Sequence, residues 1–219
     1  MACLLLVRHA DAGAGSQLLG RLPGCHLSPV GLAQSIHLAT VLADLPVRAV
    51  YSSPLERALE TAQVIADPHG FTPEFMDPLT EIDFGDWEGR YLEELETLPE
   101  WRQYNQCRTG SNPPRGESMH AVQQRMIECV GGIAARHPEG KVVIVSHADP
   151  VRAAVAYYLG IPLDFLHRFE ISLSSITEVE VAPAGPRVTC INFAPASCAF
   201  TRAGGKEARP GTRQVSRVA

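Results

Sequence analysis

Five side chains in this sequence have the types and placement for chemistry on a small anion. Arg8 and His9 close an apolar run from Cys3 to Val7, and His147 closes a second run that ends at Ser146. Arg57 lies in the segment Ser52-Ser53-Pro54-Leu55-Glu56-Arg57-Ala58, and Glu81 opens a loop of alternating acidic and aromatic residues. A neutral imidazole has a lone pair available for attack near physiological pH. A guanidinium matches two oxygens of a phosphoryl group with its planar fork and keeps its charge. A carboxyl group whose pKa is raised by burial can protonate a leaving oxygen and later take a proton from water. Two arginines, two histidines and one spare carboxylate therefore point to phosphoryl transfer.

The elements that must carry these groups follow from hydropathy. Leu4 to Val7 reads as a central parallel strand covered on both faces, and Lys141 to Val145 as a second. Parallel strands that end in Arg8-His9 and Ser146-His147 bring both histidines to one carboxyl edge of a sheet, where such folds bind ligands. Helices are predicted over 31–42, from Ser53 onward, over 118–137 and over 149–159, with short pieces at 91–98 and 100–106. In Ser53-Pro54-Leu55-Glu56 the pattern predicts Ser53 as the helix cap and Glu56 as its capping-box partner. Met119, Val122, Met126, Val130 and Ile133 form an apolar stripe on the long helix. The stretches 13–29, 68–89 and 110–116 read as loops, and 175–181 with 187–193 as a late strand pair. The alternation predicts an α/β sandwich, mostly parallel with an antiparallel edge, in a single domain over 1–200. From Thr201 the character changes: five basic residues stand against Glu207 alone, which predicts a disordered basic tail over 201–219.

Composition sets the outer bounds. At 219 residues the chain can bury a full core as one domain. A net charge of -5 excludes the broad positive footprint of a nucleic-acid binder, and no stretch reads as a membrane span or a signal peptide. None of the six cysteines pairs at a two-residue spacing, so zinc-knuckle and thioredoxin patterns are absent. Free thiols in a reduced, cytoplasmic setting are expected, with no metal and no cofactor.

These motifs resemble the histidine phosphatase superfamily, also called phosphoglycerate mutase-like. The resemblance runs through Leu5-Leu-Val-Arg-His-Ala10, Leu27-Ser-Pro-Val-Gly-Leu-Ala-Gln34, Tyr51 to Ala62, Leu79 to Gly89, Pro114-Arg-Gly-Glu-Ser118 and Val143 to Ala148. It covers roughly residues 3–195. It implies a three-layer α/β/α sandwich and a phosphohistidine intermediate on His9. Arg8, Arg57, His147 and the Ala148 backbone N–H are implied to hold phosphate, and Glu81 to move the proton. Ser16, Arg21 and His26 are candidate substrate contacts from the loop after the first motif. Arg115 is expected to face solvent, Trp87 to pack, and Glu117 to serve the first turn of the long helix.

Two departures stand out. Ala10 replaces the family's usual Gly, and Gly15 occupies a position that is often Asn. Phosphoglycerate mutases commonly carry a Gly-Asn pair after the second histidine, where this chain has Ala148-Asp149, and basic residues after the Glu loop, where it has Glu93, Glu94, Glu96 and Glu100. The resemblance thus implies a phosphomonoesterase acting on a small phosphorylated metabolite, with the mutase and a non-catalytic phosphate-sensing module as alternatives. The acidic insert argues against a highly anionic substrate. The sequence leaves open whether the chain pairs as a homodimer.

Overall fold

The computed structural model describes residues 1–195, so the basic segment 201–219 lies outside the described residues. Its frame is a six-stranded sheet in the order β3-β2-β4-β1-β5-β6. The strands are β1 (Ala2–Arg8), β2 (Val47–Ser52), β3 (Glu74–Phe75), β4 (Gly140–Ser146), β5 (Ile176–Ala182) and β6 (Gly185–Phe193). β1, β2, β3 and β4 pair in parallel, while β5 and β6 form the antiparallel edge. The expected sandwich is present. The two-residue β3 falls in a stretch that reads as pure loop.

Both faces of β1 and β4 are covered, which explains their unbroken apolar runs. Leu5, Val7, Val143 and Val145 pack on α1 (Pro29–Leu42) and α2 (Glu56–Ala66). Leu4, Leu6, Val142 and Ile144 pack on α5 (Met119–Arg136) and α6 (Ala148–Leu159). Each fully buried Leu or Val contributes about 1.5–3 kcal/mol relative to exposure. A third apolar cluster joins the short helices α3 (Leu92–Leu95) and α4 (Pro99–Gln106) to α5 and α6. Trp87 is its pivot, with ring centroids 5.2 Å from Trp101 and 5.4 Å from Tyr104. This cluster holds the Glu81 loop against the body of the protein.

Helix starts show where local rules hold. Ser28 caps α1 by accepting from the Gly31 N–H, and Ser118 caps α5 by accepting from Ala121. Ser53 does not cap α2. That helix begins one turn's fraction later, with Leu55 at the cap position and no side-chain cap bond. Ser53 is fully buried and extends the β2 chain, its N–H donating to Val145 O at 2.9 Å. Sheet pairing has overridden the local capping pattern.

The five described cysteines, Cys3, Cys25, Cys107, Cys129 and Cys190, are free thiols. No helix among the described residues is long and apolar enough to cross a membrane.

Candidate active site

The register of the central pair places the first two functional residues. Arg8 on β1 lies directly opposite Ser146 on β4, so His9 and His147 leave the sheet side by side. Their ring centroids are 5.0 Å apart at an interplanar angle of 60°. Arg57, from the first turn of α2, is fully buried beside them and donates from Nε to His9 Nε2 at 3.3 Å. Arg8, His9 and Arg57 floor a cleft of about 450 Å³, with His147 buried beneath them, and its walls include Glu81, Gly15, Ala148, Trp101 and Arg152. That volume suits a small metabolite.

Hydrogen bonds fix the state of His9. Its Nδ1–H donates to its neighbour's carbonyl, Ala10 O, at 2.7 Å, which leaves the lone pair on Nε2. Burial, together with the positive charges of Arg57 and Arg8, lowers its pKa to about 3, so the imidazole stays neutral. Burial also holds His147 neutral, with His9 and Arg57 adding to the effect. His147 Nε2 shares a hydrogen bond of 2.8 Å with Ser53 Oγ. This is the role of Ser53 that its sequence context hid. Ser53→Ala is expected to lower kcat/KM about tenfold by freeing the His147 ring, with KM little changed; steady-state kinetics checks this.

Three buried groups around His9 lack any hydrogen-bond partner: Arg8 Nε, Arg57 Nη1 and His147 Nδ1. Buried polar atoms without partners are costly, so a cluster of them around His9 at the base of one cleft marks a place for a polar ligand. Arg8 is anchored from its other side by Ile171 O at 2.8 Å, and Arg57 by Gly20 O at 2.7 Å. Gly20 takes a positive φ of 51°, and a side chain there would run into the Glu88 carboxylate. Ala148 opens α6 after His147, whose side chain makes no cap bond. The free amides and positive end of that helix therefore face the same anion position.

Glu81 hangs over this floor, half-buried. Burial raises its pKa to about 7, the negative charge of Asp149 adds to the rise, and the Ile82 N–H, Arg57 and Arg8 offset part of it. Its backbone is clamped: Arg21 Nε donates to Glu81 O at 2.8 Å and Arg125 Nη2 at 3.2 Å. Glu117 binds both arginines, Arg21 at 2.8 Å and Arg125 at 2.8 Å. Glu117 is thus a brace for the Glu81 loop rather than a helix-end charge.

Of the loop candidates, none lies on the cleft wall. Ser16 donates its hydroxyl to Glu93 at 2.9 Å, so it does not replace the phosphate contact that Gly15 lacks. Arg21 grips Glu81 from behind. His26 is exposed and pairs with Glu60, whose hydrogen bond raises the pKa of the ring. At the other departure the Ala10 methyl is fully buried, and its N–H donates to Thr61 Oγ1 at 3.1 Å. Arg115 is exposed as expected and pairs with Asp86. Among the described residues no three His, Cys, Asp or Glu side chains gather as a metal-binding group.

The model of the histidine phosphatase superfamily (branch 1) matches residues 4–194. The chain belongs to that superfamily. It is a member of its phosphatase branch, with general phosphomonoester hydrolysis as its class of chemistry. It is 31% identical over 185 residues to a 2,3-bisphosphoglycerate-dependent phosphoglycerate mutase of Thermoplasma acidophilum, covering 83% of this chain and 88% of the relative. It is 32% identical over 186 residues to phosphoserine phosphatase 1 of Hydrogenobacter thermophilus, covering 83% and 87%. Among solved structures, YhfR of Bacillus stearothermophilus superposes with a TM-score of 0.80 at 29% identity, covering 86% of this chain and 96% of that one. The phosphoglycerate mutase-like sandwich expected from the motifs is the fold observed.

Several cleft residues of this histidine phosphatase carry no sequence signal that singles them out. Arg108 is 4% exposed and bonded to Asp149 Oδ2 at 2.9 Å, though it follows α4 in what reads as a loop. Arg152 and His167 also line the cleft. Arg125, which clamps the Glu81 loop from outside the cleft, sits on the polar side of an amphipathic helix and reads as solvent-facing. A buried role for such residues depends on partners far away in the chain.

Proposed function

We propose that this chain is a phosphomonoesterase that works through a phosphohistidine on His9, acts on a small phosphorylated metabolite, and requires no divalent ion. The observation that carries the reading is the trio of unpartnered nitrogens, Arg8 Nε, Arg57 Nη1 and His147 Nδ1, around the lone pair of His9 Nε2, with the Ser53 hydroxyl donating to His147 Nε2 so that Nδ1 carries the ring proton. A phosphoryl group supplies oxygen acceptors for all three, and its arrival displaces the long Arg57–His9 bond. His9 Nε2 then attacks phosphorus as the ester P–O bond breaks, and Glu81 gives its proton to the departing alkoxide. The arginines and His147 stabilise charge on the phosphoryl oxygens. In the second half, Glu81 takes a proton from water as the water oxygen attacks phosphorus. The P–N bond breaks, and His9 and inorganic phosphate are released.

The test is phosphate release from a panel of phosphomonoesters with excess chelator present. Turnover that persists in chelator supports the scheme, and turnover that needs added metal contradicts it. Incubation with 3-phosphoglycerate and a bisphosphate primer separates hydrolysis from mutase activity, because only hydrolysis releases inorganic phosphate in proportion to turnover. Phosphate binding without turnover is the signature of a sensing module.

A further inference from the structure

At the end of the sheet opposite the cleft, three polar side chains meet on adjacent strands. Cys3 on β1 lies directly opposite Lys141 on β4. Lys141 Nζ stands 3.1 Å from Cys3 Sγ and reaches on across β1 to Glu178 Oε2, on β5, at 3.3 Å. Glu180, the direct partner of Cys3 on β5, is taken up by Arg187 at 2.6 Å, so Glu178 is the carboxylate that answers the lysine. Nothing in the phosphoryl chemistry uses this trio.

The surroundings are apolar: Cys3 belongs to the cluster of Leu5, Leu42, Val47 and Val143 that α1 and α2 cover. A lysine at such a margin ordinarily lays its stem on the apolar surface and extends its amine to water. Here the amine turns onto a thiol that is 8% exposed. The trio still meets solvent, because the Lys141 and Glu178 side chains are 26% and 28% exposed. Burial pushes the Cys3 thiol up, and the hydrogen bond from Lys141 offsets part of that rise. Cys3 is a free thiol, and its hydrogen-bonding neighbour is an amine. Oxidised sulfur at this position therefore has a nucleophilic nitrogen beside it to resolve it.

We propose that Cys3 and Lys141 form a modification site for peroxides, at which Sγ and Nζ become joined through one bridging oxygen. The Cys3 sulfur attacks a peroxide oxygen and the O–O bond breaks; the thiol proton leaves with the departing oxygen as water, and a sulfenic acid remains. A second peroxide oxidises the Lys141 amine to a hydroxylamine, again releasing water. The hydroxylamine oxygen then attacks Sγ, and the sulfenic hydroxyl departs with the hydroxylamine proton as a third water. Sulfur and nitrogen are oxidised and both peroxides reduced. The proton that the ammonium must shed goes to Glu178. The product staples β1 to β4, the strands that deliver His9 and His147, across 138 residues of chain.

The test is intact-mass measurement and peptide mapping after treatment with hydrogen peroxide. The bridge adds one oxygen and removes two hydrogens, a gain of about 14 Da, and joins the peptides that hold Cys3 and Lys141. A thiol reductant is expected to reverse both changes. The stapled protein is expected to melt about 5 °C or more above the reduced form. Lys141→Arg keeps the charge and is expected to lose the bridge, leaving stepwise gains of about 16 Da on Cys3. Cys3→Ser is expected to lose the bridge and those gains together; thermal melting before peroxide verifies that both variants fold. Gains of about 16 Da alone in wild type, an absence of joined peptides, or a 14 Da product that survives in Lys141→Arg overturns the proposal.

Discussion

His9→Ala is expected to lower phosphomonoester hydrolysis by about ten-thousandfold or more, while inorganic phosphate still binds. The two consequences separate because different atoms carry them. On the proposed reading, phosphate affinity comes from Arg8, Arg57, His147 and the start of α6, which the substitution leaves in place. The bond-making lone pair resides on Nε2 alone, held there because Nδ1–H is committed to Ala10 O. A neutral imidazole is also required, and burial, with the charges of Arg57 and Arg8 adding to it, lowers the His9 pKa to about 3. Hydrolysis within tenfold of wild type in this variant would remove His9 as the nucleophile. Loss of phosphate binding as well would indicate a collapsed floor, and Arg57→Lys then serves as the control: it keeps the charge and loses the fork that faces the phosphoryl oxygens.

Glu81→Gln is expected to slow turnover of alkyl phosphates by about a hundred- to ten-thousandfold. With an aryl ester that leaves readily as an anion, the burst of phosphoenzyme formation is expected to be nearly unaffected, because no proton need be supplied. The pH profile carries the same signature. The Glu81 carboxyl is pushed up to about 7 by burial, with Asp149 adding to it. The acid form is therefore available below that pH and is lost above it. Phosphoenzyme formation from alkyl esters should fall as pH rises through about 7 in wild type and lose that limb in Glu81→Gln.

The same shift bears on stability. A carboxyl whose pKa is higher folded than unfolded contributes stability that is complete below the unfolded value of about 4.5. That contribution disappears as pH rises through about 7. Glu81→Gln is accordingly expected to melt above wild type at pH 8 and to lose that advantage near pH 4.5. The activity and the melting curves are independent readouts of one buried proton.

Central-strand residues were the most legible part of the molecule. Leu4 to Val7 and Val142 to Val145 are apolar at every position because helices cover both faces, and a polar pair ending each run must sit at the sheet edge. His9 and His147 follow from that alone. Arg57 and Glu81 needed the surrounding motifs, since a first-turn arginine and a loop glutamate are otherwise ordinary. The local pattern at Ser53 fits a helix cap, while pairing with Val145 draws it into the strand end and toward His147. The side chains of Ser16 and His26 turn to Glu93 and Glu60, and the direction of a loop side chain set by such distant partners leaves no trace in the local sequence. Arg108 and Arg125 look like surface residues until Asp149 and Glu117 are brought to them, 41 and 8 residues away respectively. Periodicity reports burial along one element; it says nothing of a polar group buried by a distant partner.

The most direct test of the phosphoryl-transfer account is rapid quenching in alkali during turnover of an isotopically labelled phosphomonoester, followed by mapping of the labelled peptide. An alkali-stable, acid-labile phosphate on His9, formed and discharged at rates that match turnover, is the predicted result. Turnover with no label at His9, or label on another residue, would contradict the account.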